Sequence, residues 1–208
     1  MSCLGAWCPP VLAAVLVAVL ELDVVQFGQF MISRPLVLGP VLGLLFGQPQ
    51  TGLVLGACCE LFSLDDVPVG DKLPLNATVA VAVSFLMICS PSRVPPELAL
   101  PAGLLAGWAH QKLETLLRQR RRMFCCQAEQ SLEQGRSPRL GCIIASALAE
   151  QAAWTLGLLL FCVLVGGPLL QWVWPFLPRG LSVGLGVAWE LAPWLGLGVL
   201  LHALRPVR

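Results

Sequence analysis

Charge is scarce in this chain. Asp, Glu, Lys and Arg together make up 12% of its 208 residues, against roughly 25% in soluble domains. A water-facing surface cannot be built from that supply, and the 57% hydrophobic content and mean hydropathy of +0.79 point to an integral membrane protein. Histidine is scarce too: His110 stands at a membrane exit and His202 near the C-terminus, neither with a carboxylate or nucleophile at a spacing that suggests a dyad, so the commonest acid–base machinery is missing. No glycine-rich loop carries the Lys-Ser/Thr of a nucleotide site. The nine cysteines show no CxxC and no Cys/His ligand spacing, which argues against a zinc site or a disulfide framework and for small apolar packing residues. Residues 1–10 hold no Lys or Arg, so the expectation is a retained membrane helix and not a cleaved leader. Basic residues gathered in one loop, with a net charge of +1, leave no footprint for nucleic acid. The chain is therefore expected to be neither an enzyme nor a holder of cofactor or metal.

What is present is apolar sequence broken in unusual places. At about 20 residues per bilayer crossing, the length allows roughly six to eight membrane segments in one domain, residues 1–208, of all-α class. The stretch from residue 26 to 77 organises the rest. Gly39, Gly43 and Gly47 recur every four residues, and Gly52 and Gly56 repeat that spacing, giving a flat helical stripe that another backbone can approach. Between the two sets stands Gln48-Pro49-Gln50-Thr51, suited to a tight reversal. The apolar runs on either side, 36–46 and 53–64, are too short to cross alone, so they read as half-helices or a re-entrant hairpin. Broken backbone at membrane depth survives where protein buries it or a wet cavity bathes it, and transporters build binding sites that way.

Elsewhere, residues 11–20 open a helix that runs into Glu21 and Asp23. Either the helix continues to about residue 30 and these carboxylates face protein or water inside the membrane, or it ends at Leu20 and they sit among headgroups. Residues 73–89 form a crossing helix, and the prolines of 90–97 a loop. Residues 110–139 hold seven of the thirteen basic residues against three carboxylates, a cytoplasmic loop by the positive-inside rule. Its first part, 110–124, has Leu113, Leu116 and Leu117 at helical spacing, and its arginine run either docks a cytoplasmic partner or anionic lipid or simply orients the chain. Residues 140–165 are the longest apolar stretch, expected to end at Gly166-Gly167-Pro168. Residues 169–178, rich in tryptophan, read as an interfacial connection, and 180–204 as a return crossing.

Polar side chains cluster at Glu60, Asp65, Asp66, Asp71, Lys72 and Asn76. Carboxylates and amides recognise sugar hydroxyls through hydrogen bonds. The alternative is a surface turn at 65–72, with Glu60 merely paired to Arg34 or Lys72.

The order Arg34-Pro35-Leu36, Gly43 and Gly47, Thr51-Gly52 with Gly56, Glu60-Leu61, and Gly70 before a small-residue helix resembles membrane component C of the mannose/sorbose family of the bacterial sugar phosphotransferase system. The resemblance covers roughly residues 22–83. It implies a permease subunit of the bacterial inner membrane that bears no phosphohistidine, works with component D, and delivers a hexose-like sugar to cytoplasmic component B, itself phosphorylated through component A and the carrier HPr. It also implies a mobile core domain that carries the sugar. On residues and resemblance together, the candidate substrate-binding set is Glu60, Asp65, Asp66, Asn76 and Gln29. The family's Pro-Asp pair reads Leu75-Asn76 here, and its aromatic and amide residues give way to Asp65-Asp66-Val67-Pro68; both differences bear on which sugar is taken. Members commonly continue through a further hydrophobic hairpin beyond the counterpart of 180–204, which raises the alternative of a reduced, non-transporting scaffold that anchors phosphotransferase components.

Overall fold

The computed structural model describes residues 3–23, 30–64, 73–134 and 140–204. Every regular element among them is helical: α1 (Cys3–Leu20) with a 3-10 turn (Glu21–Asp23), α2 (Pro35–Leu45), α3 (Pro49–Phe62), α4 (Ala77–Cys89), α5 (Pro96–Glu133), α6 (Leu140–Phe161), α7 (Gly167–Val173) and α8 (Arg179–Ala203). Three of them, α2, α3 and α5, begin with proline in the first turn, where a missing N–H costs nothing because that turn has no acceptor for it.

The short helices α2 and α3 form the expected hairpin. At 11 and 14 residues they are roughly 16 and 21 Å long, short of the ~30 Å hydrocarbon layer. The reversal is closed by the Gln48 N–H donating to Gly43 O at 2.7 Å, with Gly47 at φ +70°. The glycine stripe is the contact itself: a Cβ on Gly39 would lie 2.3 Å from Gly52 O, and one on Gly52 2.2 Å from Gly39 O.

Helix α4 is the central pillar, with all of residues 77–87 buried. It spans Ala77–Cys89 and not the whole of 73–89, because Pro74 and the capping Asn76 hold the preceding residues out of the helix. At 13 residues it too is shorter than a crossing. Helix α5 packs on it closely enough that a Cβ on Gly107 would sit 2.7 Å from Asn76 O.

Two expectations give way. The helix expected over residues 110–124 does not stop there: α5 runs unbroken through it to Glu133, 38 residues in all, since residues 110–133 contain no proline or glycine and are rich in Leu, Gln, Glu and Arg, which favour helix. Nor does Gly166-Gly167-Pro168 end the following helix. A π-helical turn at Cys162–Gly166 carries the chain into α7, and the continuous run is Leu140–Phe176, 37 residues. A π turn widens the backbone around Leu164, four residues before Pro168, where the proline ring would otherwise strike a carbonyl. The tryptophan-rich segment is thus helical continuation, ending in a 3-10 turn at Trp174–Phe176.

That run and α8 are the two helices among the described residues that are long and apolar enough to cross a bilayer. Leu181, Val183, Val187, Leu191, Trp194 and Leu201 of α8 are all exposed, an apolar surface of a kind that lipid covers.

Gly52→Val should therefore separate α2 from α3. We expect it to cost at least about 2 kcal/mol, seen as a lowered thermal unfolding midpoint of the detergent-solubilised chain. Gly184→Ala, where a Cβ meets nothing within 4 Å, should leave the midpoint unchanged.

Candidate functional site

The apolar interior contains a polar ring. Glu21 reaches it from the turn after α1, Asn76 caps α4, His110 comes from α5, and Thr155 and Gln151 from α6. Glu21, His110, Gln151 and Thr155 are each at most 5% exposed.

Hydrogen-bond accounting fixes how the ring is wired. Asn76 Oδ1 accepts the N–H of Val79 at 3.0 Å, the N-cap bond of α4. That assigns the amide orientation, so Nδ2 supplies both donors, to Glu21 Oε1 at 3.1 Å and to His110 Nδ1 at 3.0 Å. With Nδ1 accepting, His110 carries its proton on Nε2, which donates to Thr155 Oγ1 at 2.9 Å. The Thr155 hydroxyl then donates to Glu21 Oε2 at 3.4 Å, and the circuit closes. Gln151, one turn before Thr155 on α6, accepts from Arg121 Nη2 at 2.6 Å, which ties this part of α6 to the basic end of α5.

Glu21, His110 and Glu114 offer ligand atoms within 4.8 Å of one another, yet the donor set does not suit a metal. A metal facing Glu21 would need the lone pair of His110 Nε2, and the wiring through Asn76 puts a proton there.

The sequence-derived candidates divide. Asn76 lies at the heart of the ring. Glu60, near the end of α3, is held at the start of α2: its Oε1 accepts from Arg34 Nη1 at 2.8 Å, and its Oε2 from the Leu36 N–H at 3.4 Å. It thereby ties the end of α3 to the start of α2, and among the described residues no hydrogen bond joins it to the ring. Gln29, Asp65 and Asp66, with Asp71 and Lys72, lie outside the described residues. The two carboxylates after Leu20 are inside the protein and not among headgroups. Glu21 joins the ring, while Asp23 accepts the N–H groups of Phe30 at 2.8 Å and Ile32 at 3.1 Å. Between those two, Met31 takes φ +62°, a left-handed conformation uncommon for a residue with a side chain.

Sequence reasoning missed His110, Gln151 and Thr155 as members of a site. The signal was spacing: Gln151 and Thr155 are four apart on one face of an apolar helix, as are His110 and Glu114 on α5.

Breaking the ring at its hydroxyl tests the wiring. Thr155→Val keeps the shape but leaves Nε2–H without an acceptor and Glu21 short of a donor. It should destabilise the chain by about 1–3 kcal/mol, and Thr155→Ser should restore most of the loss in the same thermal unfolding measurement.

Comparison with known proteins places this geometry. The family described as "PTS system sorbose-specific iic component" matches residues 9–206. The mannose-specific EIIC component of Escherichia coli K12 is 24% identical over 179 residues, which is 85% of this chain and 66% of that protein; the chain thus spans just under two thirds of the length of such curated relatives. The sorbose-specific EIIC component of Lacticaseibacillus casei is 30% identical over 60 residues, 29% of this chain and 22% of that one. Among solved structures, the mannose transporter ManYZ in complex with microcin E492 superposes with a TM-score of 0.64 at 20% identity, covering 95% of this chain and 79% of that one. A structure described only as a membrane protein reaches 0.74 at 19% identity, covering 95% and 80%. With nearly the whole chain matched, this protein belongs to the mannose/sorbose family of phosphotransferase membrane components C.

Proposed function

We propose that the chain is a sugar-translocating component C that imports a hexose-like sugar across a bacterial inner membrane together with component D. The sugar is handed to cytoplasmic component B, fed by component A and HPr, with the basic end of α5 facing those components. The observation that carries this reading is the buried ring of Glu21, Asn76, His110 and Thr155, built by the turn after α1, α4, α5 and α6 in a fold of this family. A ring of paired donors and acceptors at membrane depth is the kind of lining that lets a polyhydroxylated ligand exchange hydrogen bonds without exposing an unpaired group to lipid.

Direct hydroxyl partners in this reading are Glu60, Asp65, Asp66, Asn76 and Gln29. Asn76 has both amide protons engaged, so it serves a sugar through the remaining lone pair of Oδ1 or by releasing one ring bond. Glu60 serves through its carboxylate once Arg34 shares it. The chain itself contributes no phosphorylated residue; the chemistry belongs to its cytoplasmic partners.

One observation favours the second reading, a non-transporting scaffold that anchors phosphotransferase components. Each of the two described candidates, Glu60 and Asn76, is already satisfied within the protein. Uptake separates the two readings. In cells supplying components A, B and D, Glu60→Gln and Asn76→Ala should each lower sugar uptake and phosphorylation roughly tenfold or more, the worth of one charge-assisted hydrogen bond. If both variants phosphorylate sugar at the wild-type rate, the site assignment is wrong; if the wild-type chain supports no uptake at all, the carrier assignment is wrong.

A further inference from the structure

Of the candidate substrate residues described, Asn76 alone lies in the ring, and the ring leaves it a single way to meet a ligand. Its Oδ1 accepts the Val79 N–H, and both Nδ2 protons are taken, by Glu21 Oε1 and His110 Nδ1. An amide oxygen has two lone pairs. What stays free on Asn76 is therefore one acceptor and no donor. Asn76 is partly exposed, whereas His110 and Thr155 are 1% and 0% exposed. A molecule arriving at the ring can touch Asn76 without touching either of them.

That acceptor character is set from a distance. Turned end for end, the Asn76 amide would give up its N-cap bond and aim an oxygen at the Glu21 carboxylate. In the orientation it keeps, the second Nδ2 proton needs an acceptor, and His110 Nδ1 is one only while the imidazole proton sits on Nε2. Thr155 Oγ1, 2.9 Å from Nε2, takes that hydrogen bond and turns its own hydroxyl toward Glu21 Oε2 at 3.4 Å. Control thus runs from α6 through α5 to the N-cap of α4. The backbone of α5 is registered here without help from His110. Gly107, three residues earlier, lies so close that a Cβ would sit 2.7 Å from Asn76 O, and Gln111 Nε2 donates to Leu73 O. A change at position 110 therefore alters the wiring and leaves the helices in place.

Resting on the reading of the chain as a sugar carrier, we propose that His110, held by Thr155, is a positioning residue that keeps Asn76 an acceptor toward the sugar, so that this side chain takes the proton of a hydroxyl. The two nitrogens of His110 have separate duties. Nε2 joins α5 to α6, and Nδ1 holds Asn76. Only the second bears on a sugar, which is how positioning is told from a tie between helices.

The test is uptake by cells supplying components A, B and D, using whichever of mannose, glucose, fructose and sorbose the wild-type chain carries fastest. Two amide substitutions part the duties of the imidazole. Asparagine places an oxygen about where Nδ1 stands and keeps an acceptor for Asn76, whereas glutamine places a nitrogen about where Nε2 stands and keeps the donor to Thr155. We expect His110→Gln to raise the KM about fivefold with the maximal rate little changed, the loss of one neutral hydrogen bond, and His110→Asn to restore most of it. An unchanged or lowered KM in His110→Gln overturns the proposal, as does the reverse order, with Gln tolerated and Asn not. Asn76→Ala, measured beside them, keeps the two claims apart. If it leaves the KM unchanged, or the wild-type chain carries none of the four sugars, the sugar site and the positioning role fall together; if it raises the KM and His110→Gln does not, positioning alone fails. Should a variant fail to fold, the wild-type chain still answers. Nitrogen-15 spectra of histidine-labelled protein, with His202→Gln removing the chain's other histidine, should show the Nε2–H tautomer at His110 and a shift of its Nδ1 signal when that sugar is added, because a hydrogen bond at Oδ1 strengthens donation from Nδ2. The Nδ1–H tautomer, or no shift, overturns the proposal.

Discussion

The fold rests on one close contact, the meeting of backbones at Gly39 and Gly52. Neither α2 nor α3 is long enough to cross a membrane, so each must end inside it, and a helix ending there leaves carbonyls and N–H groups that lipid cannot satisfy. Burial by protein is the remedy, and burial requires the two half-helices to lie against each other and against α4 with no side chains between. Glycine permits that approach. The hairpin then closes at both ends by hydrogen bonds: Gln48 N–H to Gly43 O at the tip, and Glu60 to Arg34 and the Leu36 N–H at the open end. A side chain at the stripe would break both closures, which is why the stripe governs more than its own few ångströms.

The same constraint explains the ring. An amide, an imidazole, a hydroxyl and a carboxylate buried among leucines and valines are costly unless every donor finds an acceptor. Asn76 solves two problems at once. Its oxygen caps the pillar helix, and its nitrogen is thereby aimed at Glu21 and His110. Local helix chemistry at one residue thus fixes the tautomer of a histidine 34 positions away in sequence. The ring draws on the turn after α1, α4, α5 and α6, so it also registers four elements whose apolar packing alone would tolerate sliding.

Much of this was legible in the residues. Gly39, Gly43, Gly52 and Gly56 announced the hairpin and the short apolar runs its half-length helices, while the reversal expected at residues 48–51 falls at 46–48 and Pro49 opens α3. The carboxylate at Glu21, stranded after ten apolar residues, was compatible with a polar interior or with headgroups, and its burial decides for the interior. Illegible were the features that depend on contacts distant in sequence. His110 looked like a residue leaving the membrane because its nearest charged neighbours, Lys112 and Glu114, are exit signals; its partners come from α4 and α6. Thr155 and Gln151 were hidden by their ordinary composition, and only the fold brings them to Glu21. The helix through Gly166-Gly167-Pro168 was misread for a local reason: three breakers in a row predict an end, but in a helix flanked by lipid the chain gains more by widening one turn than by releasing its hydrogen bonds.

The closed ring also sets the terms on which a ligand could enter. Because each member holds two others, removing one bond leaves an unpaired buried group, and the remaining bonds resist partial opening. A ligand with one hydroxyl would relieve one gap and leave others. A ligand with several hydroxyls, each able both to donate and to accept, can replace several ring bonds together and leave every group paired. In the proposed carrier, selectivity for polyhydroxylated molecules would then follow from the all-or-none character of the network, and not from any single side chain's strength. The departure at Leu75-Asn76 fits that logic: an amide at 76 supplies two donors and so completes the circuit through Glu21 and His110, whereas an acid there would set two carboxylates about 3 Å apart with no donor between them.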